Sequence, residues 1–348
     1  MAGTYSLSKY ITCYPAPGNH VSVYHRISKK TYLLGSKESR VLMLFDGVRT
    51  TGEIHSLCPF FTEEEISQLA QSFLELGFFT VFQPQKRFNP FKIQIKLFNP
   101  NRLLSGGRGT RILYTLFMRI CPIIFLAGAA FAFAGSHGFW GASINLTAVL
   151  SQWRGFRGAD FAWVLILTLA SLFLHEFGHA AVARTYGVNV PEIGFMLYLL
   201  IPTAYTNISG IRLLGRKKPQ IEALLAGSMV NFGVIGLSWI LLYCIPSEKT
   251  AAYLLILIVE NAFAIGLNTN IFVKYDCYYI FEVLLDEPGL HDKALAYSKA
   301  LLQRGHTGDK SPVDDDSTAS RAFYIVYGML CAAFIPVLIG SSVLSYFV

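Results

Sequence analysis

Inside an apolar stretch of this 348-residue chain stand His175, Glu176, Phe177, Gly178 and His179. On a helix, positions i and i+4 share a face, so both imidazoles can grip one divalent metal ion. Glu176 can then take a proton from a water that the metal polarises. An ionisable side chain in a membrane helix costs about 2.5–3.5 kcal/mol. Three of them within five residues call for a compensating partner, and a divalent cation is the simplest. A catalytic zinc wants three protein ligands and a water. Candidates for the third ligand are Asp276, Cys277 and Glu260. Asp276 is preferred, because it sits where helix and loop meet at a membrane boundary, among Tyr275, Tyr278 and Tyr279. Cys277 is a soft neighbour, and Glu260 reads as a buried partner for a polar residue on another helix.

The elements that position these residues must be membrane helices. The chain is 53% hydrophobic and 15% charged, whereas a soluble domain carries about a quarter charged residues. The excess is uneven. The first 85 or so residues read as a soluble domain, and long apolar runs follow at 112–134, 161–183, 193–211, 221–245, 251–273 and 322–347. About twenty apolar residues cross the hydrocarbon core. The run at 193–211 is short, holds Pro202 and carries Tyr205, Asn207 and Ser209, so it suits a re-entrant segment better than a span. Six crossings would put Arg212, Arg216, Lys217 and Lys218 outside, against the positive-inside tendency. They would also put Asp276 on the opposite face from the histidines. Five crossings plus a re-entrant segment return the basic loop to the cytosol and bring Asp276 level with His175 and His179. The fold class expected is a polytopic α-helical membrane protein with an N-terminal α+β winged-helix-like domain.

The N-terminal domain, 1–85, shows β-prone stretches at 21–25 and 31–34, then helical patterning at 38–45 and 63–76 and a last strand at 78–82. Thr62 and Glu65 have capping-box spacing. Ile66, Leu69, Phe73 and Leu74 fall on one face of the second helix. Residues 86–111 form a basic juxtamembrane linker with Lys86, Arg87, Lys92, Lys96, Arg102, Arg108 and Arg111, and its alternating part, 92–98, is expected on the membrane surface. Much of the net charge of +7 lies there, which suits an anionic inner leaflet. The membrane domain covers 112–348, with a polar insertion at 286–320 that holds a helix at 292–304 and the acidic Asp314, Asp315 and Asp316. The six cysteines show no pairing rhythm, so a reducing cytosol is expected around the soluble domain. No cleavable signal is read in the first 14 residues, which makes the first span an uncleaved insertion signal.

These residues resemble the site-2 protease family of intramembrane zinc metallopeptidases. The resemblance implies that His175, His179 and Asp276 ligate Zn2+ and that Glu176 is the general base and acid. Ala226-Gly227-Ser228-Met229-Val230-Asn231 resembles the family's Gly-Pro-x-x-Asn stretch, whose asparagine positions substrate backbone. Asn268-Thr269-Asn270-Ile271 and Asp276-Cys277-Tyr278-Tyr279 resemble a subgroup's Asn-x-Asn-Pro and Asp-Gly-Tyr-Tyr, with Asn270 as a second positioning residue. Ile271 replaces the proline and Cys277 the glycine, and losing both is expected to relax the turn that presents Asp276.

The first 85 residues resemble the PqqD-like peptide-recognition domain of pathways that tailor ribosomally made peptides (RiPPs). The match rests on the strand pair, on residues 38–47 and on residues 50–54. Such domains take a leader peptide as an added strand. DNA binding is disfavoured, because the helices carry Glu38, Glu53, Glu63, Glu64, Glu65 and Glu75 where phosphates need cations. The reading is an intramembrane zinc endopeptidase that removes the leader of a precursor captured by the N-terminal domain. The precursor and the lipid bilayer are its partners, along with other maturation or export proteins of the pathway. The location implied is multi-pass in a cell membrane, that of a bacterial inner membrane, with the N-terminal domain cytoplasmic. Two alternatives stand beside it: a non-catalytic membrane scaffold or immunity factor, and regulated intramembrane proteolysis of a signalling protein. A di-iron oxygenase would need several paired-histidine boxes, and the chain has one.

Overall fold

The computed structural model describes residues 4–16, 20–26, 30–79, 92–104, 107–137, 146–198, 201–245, 247–303 and 318–344. In chain order the elements are β1 Ile11–Ala16, β2 His20–His25, β3 Lys30–Leu34, α1 Ser36–Leu44, α2 Thr51–Leu57, α3 Glu63–Glu75 and β4 Lys92–Phe98. Then come α4 Arg108–Thr115, which passes through a π turn into α5 Cys121–Ser136, and α6 Leu146–Arg154, α7 Gly158–Thr185, β5 Ile193–Tyr198 and β6 Ile201–Thr206. The chain continues with α8 Lys217–Cys244, α9 Glu248–Asn268, α10 Asp276–Leu285, α11 Leu290–Gln303 and α12 Thr318–Leu344. It packs as two compact units. One holds Met1–Leu116 with Leu172–Pro219, the other Phe117–Ser171 with Gln220–Val348.

In the first unit β1, β2 and β3 form an antiparallel sheet in that order, followed by α1, α2 and α3. Two capping boxes start the second and third helices. Thr50 pairs reciprocally with Glu53, and Thr62 with Glu65, each satisfying N–H groups that the helix cannot reach. Val41, Leu42, Phe45, Ile54, Ile66, Ala70, Phe73, Phe78 and Phe79 are buried in one core, with Leu69 and Leu74 packed against it. The strand expected at 78–82 is described as far as Phe79, which bridges to Leu7. Residues 80–91 and 304–317, with Lys86, Arg87 and the acidic triplet, lie outside the described residues.

A second antiparallel sheet has the order β4-β5-β6. It bears on two expectations. Residues 92–98 form a strand that pairs along β5, so the strand's N–H and C=O groups gain partners. The run 193–211 contains no spanning helix, in keeping with the preferred non-spanning reading: it is a hairpin followed by a 3-10 turn, Ser209–Leu214. Pro202 removes a donor that a helix would need. At Gly194 a Cβ would collide with the carbonyl of Ile95, so glycine permits the approach of β4 to β5.

Four helical stretches among the described residues are long and apolar enough to cross a membrane: Arg108–Ser136, Gly158–Thr185, Lys217–Cys244 and Glu248–Asn268. The last expected span falls on α12, whose described apolar stretch, Ser320–Phe334, is shorter. In the second unit the helices pack through small residues, and Gly128 on α5 lies directly against Gly236 on α8. Polar ties also join α7 to α9. Thr168 Oγ1 donates to Glu260 Oε2 at 2.6 Å, and Ser171 Oγ to Asn261 Oδ1 at 2.8 Å. Glu260 is thus the partner of a polar residue on another helix, as the sequence suggested.

Candidate metal centre

Helix α7 changes character along its length. Its first half exposes Phe161, Trp163, Leu165, Ile166 and Leu169, while Ala180, Ala181, Val182 and Ala183 are completely buried. The HExxH motif stands at the start of the buried half. His175, Glu176 and His179 are 7%, 9% and 4% exposed. One helical turn brings the imidazoles together, Nε2 to Nε2 at 3.2 Å, with ring planes at 79°.

That distance tests the fit of a metal. A tetrahedral zinc with Zn–N bonds of about 2.0–2.1 Å holds two nitrogens roughly 3.3 Å apart. Two buried rings that aim the same nitrogen at one point suit a shared cation, so the pair fits zinc.

The backbone of the motif is held from the second sheet. Thr206 Oγ1, at the end of β6, donates to the carbonyl oxygen of Glu176 at 2.9 Å. The neighbouring Tyr205 hydroxyl donates to the buried Glu192 at 3.2 Å. Asn207 Nδ2 donates to the Tyr24 hydroxyl on β2 at 3.2 Å, and Thr31 on β3 meets Ser209, oxygen to oxygen, at 2.8 Å. A polar path therefore joins the N-terminal sheet, the hairpin and the HExxH turn within one unit. Burial foremost, and then the charge of Glu192, pushes the Tyr24 phenol well above its ordinary range. None of Thr206, Asn207 or Glu192 was singled out for these contacts in the sequence. The polar cluster Tyr205-Thr206-Asn207 in an apolar run is the signal that points to them.

Asp276, Asn231 and Asn270 lie in the second unit. Asn231 is buried on α8. Asp276 is the first residue of α10, reached through a turn that begins as α9 ends. Asn270 Oδ1 accepts from Phe272 N at 2.7 Å and Val273 N at 3.2 Å, and the Tyr327 hydroxyl donates to the Ile271 carbonyl. The turn is therefore clamped without a proline. Cys277 is helical and not among the positive-φ residues, so nothing there requires glycine's freedom. Where the family pattern has a proline, this turn has side-chain hydrogen bonds of Asn270 and Tyr327. Of the residues singled out, the structure brings the two histidines into one cluster with Glu176 beside them.

The sequence model of peptidase family M50 matches residues 163–336, half of the chain. The matched region begins within α7 ahead of the histidine pair and ends within α12. Neither the curated proteins nor the solved structures gave a match. With the family shown and a histidine pair spaced for zinc, the chain belongs to peptidase family M50, the site-2 protease family of zinc-dependent intramembrane metallopeptidases.

Proposed function

We propose that this peptidase removes the leader of a ribosomally made precursor peptide captured by its N-terminal domain on the cytoplasmic side. In this reading His175, His179 and Asp276 hold the zinc. When bound, zinc polarises the scissile carbonyl and a water. Glu176 takes that water's proton and delivers it to the leaving amine. Asn231 and Asn270 hold the substrate backbone. Asn270 has only its amide nitrogen to offer, because its oxygen serves the turn. A helical substrate hides its carbonyls, so the cut segment must be extended. β6 is an edge strand suited to pairing with it.

One observation carries the proposal. A domain with the order β1-β2-β3-α1-α2-α3 is hydrogen-bonded to the hairpin that holds the Glu176 carbonyl. Peptide capture would then sit in the same unit as the histidine pair and Glu176.

The test uses the full chain in vesicles, with a small peptide encoded beside its gene as substrate. The wild type should bind one zinc and release the leader. Glu176→Ala should still bind zinc and peptide yet cut at least a hundredfold more slowly, general-base catalysis contributing about 10²–10⁴. Equal cleavage of the peptide with its leader deleted would defeat the capture model. Preference for a membrane-spanning substrate would identify signalling proteolysis instead.

A further inference from the structure

A cavity of about 440 Å³ opens in the first unit between Pro15, Gly107, Thr110, Arg111, Arg184 and Asn189, among others. Arg111 lies in the first turn of α4, where one candidate span begins, and Arg184 lies in the last turn of α7, where another ends. Thr185 Oγ1 donates to the Thr110 carbonyl at 3.2 Å. The two span ends therefore meet at one level. A span ends where hydrocarbon gives way to headgroups, so the cavity lies at the depth of lipid phosphates.

Its charge is unbalanced. The Arg184 guanidinium is half-buried and bonds only neutral oxygens. Nε donates to Leu104 O at 2.9 Å, and Nη1 to Val188 O and Asn189 Oδ1 at 3.2 Å each. No ion pair among the described residues includes Arg184 or Arg111. A partly desolvated cation is further stabilised by a counter-charge. A phosphate oxygen suits the guanidinium fork best, because its acceptors match the spacing of the donors. The neutral bonds to Leu104, Val188 and Asn189 fix Arg184 in place beforehand, so little side-chain entropy remains to be lost on binding.

We infer that this cavity binds a phosphate group between Arg111 and Arg184, supplied by the headgroup of an anionic phospholipid. Because Pro15 of the N-terminal sheet lines the same cavity, a lipid there would contact the peptide-recognition domain and two membrane helices together.

The full-length protein, in detergent, is offered phosphatidylglycerol, phosphatidylcholine or inorganic phosphate, and bound ligand is counted by native mass spectrometry. Arg111→Gln removes one exposed cavity cation. Arg102→Gln, which removes an exposed juxtamembrane cation outside the cavity, is the control. Phosphatidylglycerol should be retained over phosphatidylcholine, and Arg111→Gln should weaken it about tenfold, the effect of one charged hydrogen bond, while Arg102→Gln leaves it unchanged. Inorganic phosphate bound without lipid preference, and lost in Arg111→Gln, would support the phosphate site but assign it a soluble ligand. Equal behaviour of the two variants, or no selectivity for any phosphate compound, would overturn the inference. Because Arg111 is exposed, its replacement leaves the fold intact, which circular dichroism checks.

Discussion

Thr206 Oγ1 donates a 2.9 Å hydrogen bond to the carbonyl oxygen of Glu176, so the end of β6 is fixed to the turn that carries the proposed general base. The carbonyl is on the helix backbone, and the bond sets the distance between the hairpin and the HExxH turn rather than any protonation state. Thr206→Val keeps the volume and removes the donor. Net loss of one such bond is worth about 0.5–1.5 kcal/mol. Cleavage should fall about two- to tenfold with zinc content unchanged. Loss of zinc in this variant would mean that the bond holds the histidines instead.

Tyr24 ties the N-terminal sheet to the same hairpin through Asn207. Its raised phenol pKa keeps the hydroxyl protonated across the physiological range, so the tie persists wherever the enzyme works. Tyr24→Phe should slow cleavage of a leader-bearing precursor about two- to tenfold and leave a leaderless peptide untouched. Equal slowing of both would show that the bond supports the fold and not capture.

What could be read from the sequence was local. His175 and His179 share a face by helical period alone, and the structure places their nitrogens 3.2 Å apart. Thr62 and Glu65 form the capping box that their spacing announces. The second sheet was not legible, because β4 pairs with a strand about a hundred residues later. Alternation in Lys92–Phe98 shows that a strand can form but not what it meets. The bonds that hold the turn before Asp276 were hidden for a similar reason. A missing proline is visible in sequence, whereas the Tyr327 hydroxyl that clamps Ile271 arrives from more than fifty residues away.

Gly128 and Gly236 leave no room for a Cβ on either helix, since each would meet the other helix's backbone. Gly236→Ala must push α5 and α8 apart or break the contact. Overpacking of this kind costs about 1–3 kcal/mol. Thermal stability in detergent should drop, whereas Gly266→Ala on α9, where nothing lies within 4 Å, should leave it unchanged. Equal stability of the two variants would show that the helices separate freely.

The carboxyl of Asp292 is held below the usual range, mainly by its 2.6 Å bond from Lys274 and further by His291. A lowered carboxylate pKa stabilises the fold above the ordinary value of about 3.9, and the gain disappears as pH falls through the lowered value. The Asp292 side chain is 72% exposed, so solvent limits the effect to less than about 1 kcal/mol. Asp292→Asn should lower the melting temperature slightly at pH 7 and not at about pH 2. A loss that persists in acid would assign the effect to packing.

Asn270 tests the third ligand and the substrate contact separately. Its oxygen holds the backbone N–H groups of Phe272 and Val273, and its nitrogen is the group proposed to meet substrate. Asn270→Ala removes both functions. If Asp276 ligates zinc, loosening the turn that presents it should cost the 10–100-fold in metal affinity typical of outer supports, seen as faster zinc loss to a chelator. Asn270→Asp keeps an oxygen for the turn and gives up the amide donor, so zinc should be retained while KM rises. Zinc held equally well by the wild type and Asn270→Ala would mean that the turn does not present a ligand, and Asp276 would then leave the metal set.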